Sequence, residues 1–330
     1  MLNKKGDISP VFKYIFVMIV GAMFLFFFVN FAFKYIGTQE KKESLISISG
    51  FDDTLSILGT SDNAKNAYNF GQEVSYILGD GKIGTQGSSK TTSKIVFSPN
   101  TLKGRKIVIW TRKWTMPYAI DSFFYMTNEK HRYYIVYQPE FEDLAKDMDD
   151  PQGTIYKDLQ LEVKPAATIS NSIEIIKTVS AGDERVRFLM IGNDNNLKAK
   201  LNRIKNSEVI VAIPENDPQM GGVEFEDGST MYLGDAMLFG ALFSDNLESY
   251  EFGLERALER MELITKIYSE KSKMMASRLQ GCNYDLFKGN LDSLMQKAKE
   301  KKKTASEYTT VINAISQTNK NFPANCPGVF

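Results

Sequence analysis

Apolar and polar positions follow three different rhythms along this chain, and each predicts a different structure. From Tyr14 to Phe33 the twenty residues YIFVMIVGAMFLFFFVNFAF carry no charge, and Asn30 is the only strongly polar side chain among them. Twenty residues at about 1.5 Å each make a helix of roughly 30 Å, the thickness of bilayer hydrocarbon. Lys13 and Lys34 flank the run, so one transmembrane helix is predicted, preceded by a basic head at 1–13. A cleaved secretory signal would have a shorter apolar region and a small-residue cleavage site, which FAFKYIGTQEKK does not offer. Residues 34–93 read as a linker and mixed region, and the run GDGKIGTQGSSKTTSK within it has the composition of a mobile loop.

The second rhythm starts at Lys94. Ile95–Ser98, Lys106–Thr111, Ala119–Thr127 and Arg132–Gln138 are rich in β-branched and aromatic residues and separated by short turns. Short connections favour antiparallel neighbours, so 94–148 is expected to be an antiparallel β region closed by a helix near Glu140–Met148. In 149–244 the turn-rich Asp149-Asp150-Pro151 comes first, and Ile173–Val179 fits neither period. Val186–Ile191, a helix Leu197–Lys205 and Val209–Ile213 then predict a small βαβ unit with parallel strands. A hairpin pairing Val223–Phe225 with Thr230–Leu233 follows.

The third rhythm occupies 245–330. Leu247, Tyr250, Leu254, Ala257, Met261, Ile264, Tyr268 and Met275 recur at helical spacing. Asp245 is the expected N-cap, with Glu248 completing a capping box, and Gly281 the expected stop. Helices over Tyr284–Lys302 and Thr304–Thr318 complete a helical bundle. The fold class is therefore α+β: an N-terminal transmembrane helix, an antiparallel β region, a βαβ-plus-hairpin region and a C-terminal bundle.

Charge and cysteine content narrow the function. Lys plus Arg and Asp plus Glu each number 40, which removes the positive field that nucleic-acid binding needs. A single histidine, His131, and two cysteines are too few for a zinc site of Cys and His. No metal and no cofactor is expected. Lys4, Lys5 and Lys13 before the helix are balanced by Lys34, Lys41 and Lys42 after it, so charge leaves orientation open. Cys282 and Cys326, an isolated pair, point to a disulfide in an oxidising compartment. That places the N-terminus in the cytoplasm and the main domain on the extracytoplasmic side of the cell membrane.

Lys4-Lys5-Gly6-Asp7-Ile8-Ser9-Pro10-Val11, leading straight into the apolar segment, resembles the class III signal segment of archaeal type IV pilins. The resemblance implies cleavage between Gly6 and Asp7 by a dedicated peptidase that leaves the helix on the mature chain. Ile95-Val96-Phe97-Ser98-Pro99, Trp110, Met116-Pro117 and Tyr133–Tyr137 resemble uncharacterised single-pass membrane-anchored proteins of archaea. That similarity implies no particular activity.

Each motif with chemical potential also has a structural reading. Gly79–Gly84 matches GxGxxG, but no helical pattern follows to face a pyrophosphate. In Gly84–Thr91 a serine, Ser89, stands where a P-loop needs glycine before the lysine. Trp110, Arg112, Lys113 and Trp114 combine rings and cations as stacking sites do, and equally fit the edge of an aromatic core. Asp147, Asp149 and Asp150 lack the spacing of a calcium loop, and Asn193–Asn196 can cap a helix. His131 has no nucleophile motif with it. Lys297–Lys303 reads as a solvated helix face. No catalytic, cofactor-binding or metal-ligating residue is assigned. The expectation is a membrane-anchored extracytoplasmic protein of structural or binding type, with the lipid bilayer and either protein partners or copies of itself as contacts. The alternatives are a pilin-like subunit of a surface filament and a membrane-tethered enzyme acting through carboxylates such as Asp194 or Asp235.

Overall fold

The computed structural model describes residues 9–61, 63–85, 88–149, 154–171, 173, 185–279, 282, 284–301, 304–323 and 325–330, with side chains described outside 9–13, 31–49 and 154–156. The Gly6–Asp7 cleavage position, Asp150, most of Ile173–Val179, Gly281 and the lysines at 302 and 303 lie outside the described residues.

Helix α1 runs from Ser9 to Leu58 over 50 residues. Its apolar run is bare among the described residues: Tyr14, Phe16, Met18, Met23 and Phe26 are 65–74% exposed. Its far end behaves oppositely, since Phe51 and Leu55 are buried in a cluster with Tyr76, Leu78, Ile83, Ile107 and Phe124. Among the described residues no helix is long and apolar enough to cross a membrane, and within the apolar run the described side chains are those of residues 14–30.

The body is mixed α+β, with two six-stranded sheets and helices at its C-terminal end. The first sheet has the order β3 (Ser88–Thr91), β2 (Lys82–Thr85), β1 (Lys65–Gly79), β5 (Thr101–Thr115), β6 (Ala119–Asn128), β4 (Ile95–Phe97). The second has the order β12 (Gly228–Leu233), β11 (Met220–Phe225), β10 (Ser207–Pro214), β9 (Arg185–Ile191), β7 (His131–Tyr137), β8 (Leu161–Pro165). In the second sheet β10, β9, β7 and β8 are parallel, and β11 and β12 turn back antiparallel.

Three strand expectations need correction. The stretch read as linker and mobile loop supplies β1, β2 and β3, because Asp80 and Gly81 take positive φ (48° and 67°) and close a two-residue hairpin between Gly79 and Lys82. The strand at 131–137 does not continue the antiparallel meander. It joins the second sheet as a central parallel strand, and its run of buried residues on both faces is the pattern such a strand requires. Finally, β4 lies parallel to β6. The βαβ unit and the hairpin are as expected: α4 (Asn195–Leu201) connects the parallel β9 and β10, and β11 pairs with β12.

Between β7 and β8 stand α2 (Glu142–Asp147) and α3 (Thr154–Leu159). Helix α5, Asp235–Phe243, is buried at every position from Ala236 onward. It lies between the sheets, with Phe239 against Trp110 (centroids 4.8 Å apart) and Phe243 against Tyr133 (4.4 Å). Rings of this kind each contribute about 1.5–3 kcal/mol when buried, which makes α5 the joint between the layers. Helices α6 (Leu247–Arg278), α7 (Tyr284–Lys299) and α8 (Ala305–Lys320) form the predicted C-terminal group. Cys282 and Cys326 are bonded, with their Cα atoms 5.9 Å apart, and so tie the start of α7 to the chain's end. The N-cap of α6 is Asn246, which accepts from Ser249 N at 2.9 Å. Asp245, the expected cap, is engaged elsewhere.

Candidate functional site

A charged strand residue in an apolar setting organises the most developed polar site. Arg187 interrupts the apolar strand β9, and its side chain is 2% exposed. Its Nη1 meets Asp245 Oδ1 at 3.2 Å and Glu208 Oε2 at 3.0 Å, and its Nη2 donates to the Ser244 carbonyl. Asp245 also accepts from the backbone N of Asn100 at 2.7 Å and lies 3.7 Å from Arg185. One carboxylate thus links the loop before β5, strand β9 and the entrance to α6. That is why it is not available as a helix cap.

Above this cluster opens a groove of about 870 Å³, lined by Lys198, Glu208, Phe225, Glu226, Asp227 and Asp245 with Arg187 at its floor. The guanidinium is already committed to two carboxylates and a carbonyl, so it is not free to clamp a phosphate. Lys198 is likewise 3.5 Å from Glu224. Among the described residues no group of three His, Cys, Asp or Glu is arranged to hold a metal ion.

Beside the cluster lies His131, 5% exposed and stacked on Tyr133 with ring centroids 6.1 Å apart. Asn128 Nδ2 donates to the Lys103 carbonyl (3.1 Å), which turns its Oδ1 toward His131 Nδ1 at 2.7 Å. The imidazole proton therefore sits on Nδ1 and Nε2 carries the lone pair. Burial, and after it the charges of Arg187 and Arg185, push the His131 pKa down to about 3. Both His131 Nε2 and Arg187 Nε are buried without a hydrogen-bond partner among the described residues. Burial also raises the pKa of the neighbouring Tyr133 phenol, which shares a 2.8 Å hydrogen bond with Thr127.

Comparison with family models, with curated proteins and with solved structures returned no match. The arrangement of the side chains has to speak for itself.

It disperses the residues singled out from sequence. Asp194 caps α4, accepting from Leu197 N at 2.9 Å, and Asp235 is ion-paired with Arg112. Neither lines the groove. Trp110 and Trp114 are at most 1% exposed, and Trp114 Nε1 donates to the Leu233 carbonyl, so they offer no stacking platform. Arg112 lies 5.2 Å from the Phe239 ring, as a cation at the edge of an aromatic core does. Gly79–Gly84 is the end of β1, a two-residue turn and the start of β2, with no helix after it. Within the lysine run, Lys297 pairs with Glu307 and Lys301 with Glu255 and Glu259.

Sequence reading missed the Arg187–Asp245–Glu208 cluster. Its signal was present, as one arginine inside Val186-Arg187-Phe188-Leu189-Met190-Ile191, a strand otherwise apolar from Val186 onward.

Proposed function

We propose that this protein is a single-pass membrane-anchored domain of binding or structural type, carried on the extracytoplasmic side by α1. The observation that carries this reading is the two-ended character of α1. The end formed by Phe51 and Leu55 is buried in the domain core, while the run from Tyr14 to Val29 is exposed at every position except the half-exposed Val20. A water-exposed apolar surface of this size is unfavourable at roughly 25 cal/mol per Å², and lipid is the solvent that relieves it. The described run extends in sequence through Phe31-Ala32-Phe33 to Lys34, long enough to reach across the hydrocarbon. The Cys282–Cys326 bond supports an oxidising location for the domain.

The test is flotation of the full chain with phosphatidylcholine vesicles, beside a chain starting at Gly50 that keeps Phe51 and Leu55. The full chain should float and resist carbonate extraction, and the shortened one should remain in the soluble fraction. Recovery of the full chain in the soluble fraction without detergent refutes the reading. Sidedness is read by a membrane-impermeant thiol reagent on intact cells, which should label Cys282 and Cys326 only after reduction.

A further inference from the structure

We infer that α1 associates with α1 of a second copy of this chain, side by side and parallel, through the carboxamide of Asn30. The inference rests on the membrane reading above and names a partner for that helix. Asn30 is exposed on the described part of α1, and Nδ2 donates to the Phe26 carbonyl at 3.0 Å. That bond uses one of two N–H donors. The second donor and the Oδ1 acceptor have no bond among the described residues. The bond also fixes depth: it folds the amide back by a turn, to roughly 8 Å inside Phe33 along the helix axis. At that depth interfacial water is absent, and an unmet amide is costly in hydrocarbon.

Three features select a second copy as the occupant. A carboxamide is self-complementary, since each Nδ2–H can donate to the other's Oδ1. A second copy inserted with the same orientation presents the same amide at the same depth. A two-fold axis parallel to the helices then satisfies both amides with one reciprocal pair of bonds. The stripe below Asn30, formed by Ile19, Met23, Phe26 and Phe27, is exposed in the single chain and would pack along the same seam.

The experiment uses full-length protein labelled at its amino terminus with donor or acceptor, reconstituted in phosphatidylcholine vesicles over a range of protein-to-lipid ratios. Energy transfer should rise with protein density. Asn30→Leu should weaken the association constant by roughly three- to thirty-fold, and Asn30→Gln should retain most of it. Equal transfer in wild type and Asn30→Leu overturns the inference, as does absence of transfer in wild type. Flotation of the same samples separates the two levels. If the proteins float and the Leu variant associates normally, only the pairing is wrong; if the wild type does not float, both the anchor and the pairing fall.

Discussion

Lowering the pH from 8 to 5 should remove about 2 kcal/mol of stability through His131 alone. In the unfolded chain this imidazole titrates near 6.5, whereas in the folded protein burial and two arginines hold its pKa at about 3. The folded value lies below the unfolded one, so the unfolded chain takes up the proton first. The stability is complete above about pH 6.5 and declines as the pH falls from there toward 3, with a slope approaching 1.4 kcal/mol per unit. Between pH 8 and 5 the integrated difference, from RT times the logarithm of the ratio of the unfolded to the folded binding polynomial, is about 2 kcal/mol. Urea unfolding of the full chain in mild detergent, compared with His131→Gln, isolates the effect, because carboxylate contributions are common to both. The wild type should lose stability over this range and the variant should lose about 2 kcal/mol less, whatever its absolute stability. Parallel curves for the two proteins would refute the reasoning, as would an imidazole NMR signal that titrates above pH 5.

Replacing Arg187 with Met should cost about 3 kcal/mol in urea unfolding, because Asp245 loses its buried counter-charge; partial exposure of Glu208 keeps the loss from being larger. A second change, Asp245→Asn, should recover part of it. Reducing the disulfide, which spans a sequence separation of 44, should lower stability by about 4 kcal/mol on the chain-entropy model, read as a fall in the denaturation midpoint with reductant. Gly253→Ala should lower the melting temperature, since the added Cβ would come within 2.3 Å of the Phe97 ring. Overpacking costs about 1–3 kcal/mol and exceeds the roughly 1 kcal/mol that alanine gains in a helix, so an unchanged melting temperature would contradict this packing.

Legibility in the sequence followed periodicity. The stripe from Leu247 to Met275 became α6, and the strand, helix and strand from Val186 to Ile213 became a parallel pair joined by α4, because both patterns bury one face. Helix α5 could not be seen, since DAMLFGALF is apolar all round once past Asp235 and carries no phase for a sheet-facing side. The exchange of β7 into the second sheet was hidden by its short link to β6; the evidence against a hairpin was the unbroken run His131-Arg132-Tyr133-Tyr134-Ile135-Val136-Tyr137, which does not alternate. Strand β1 was obscured by glycines and asparagines, and its register with β5 shifts between Asn69 and Val74. The polar cluster at Arg187 was legible only as an anomaly, because its partners Asp245 and Glu208 are remote in sequence.

The polar residues and the apolar run of α1 differ in how far the folded domain engages them. A side chain free for chemistry has to be spared from structural duty, and the described polar residues that looked eligible are occupied. Asp194 holds a helix start, Asp235 and Arg112 hold each other, and Asp245 gathers Arg187, Arg185 and Asn100 at one point. Even His131 has its Nδ1 committed to Asn128 and its ring against Tyr133. The apolar length of α1 is different in kind, because nothing in the described domain covers it although the domain buries the other end of the same helix. A continuous helix with one end in a protein core and the other bare transmits position between two environments. Along the helix axis Val29 and Gly50 stand roughly 32 Å apart, which is the spacing between the bare run and the part of α1 that the domain buries.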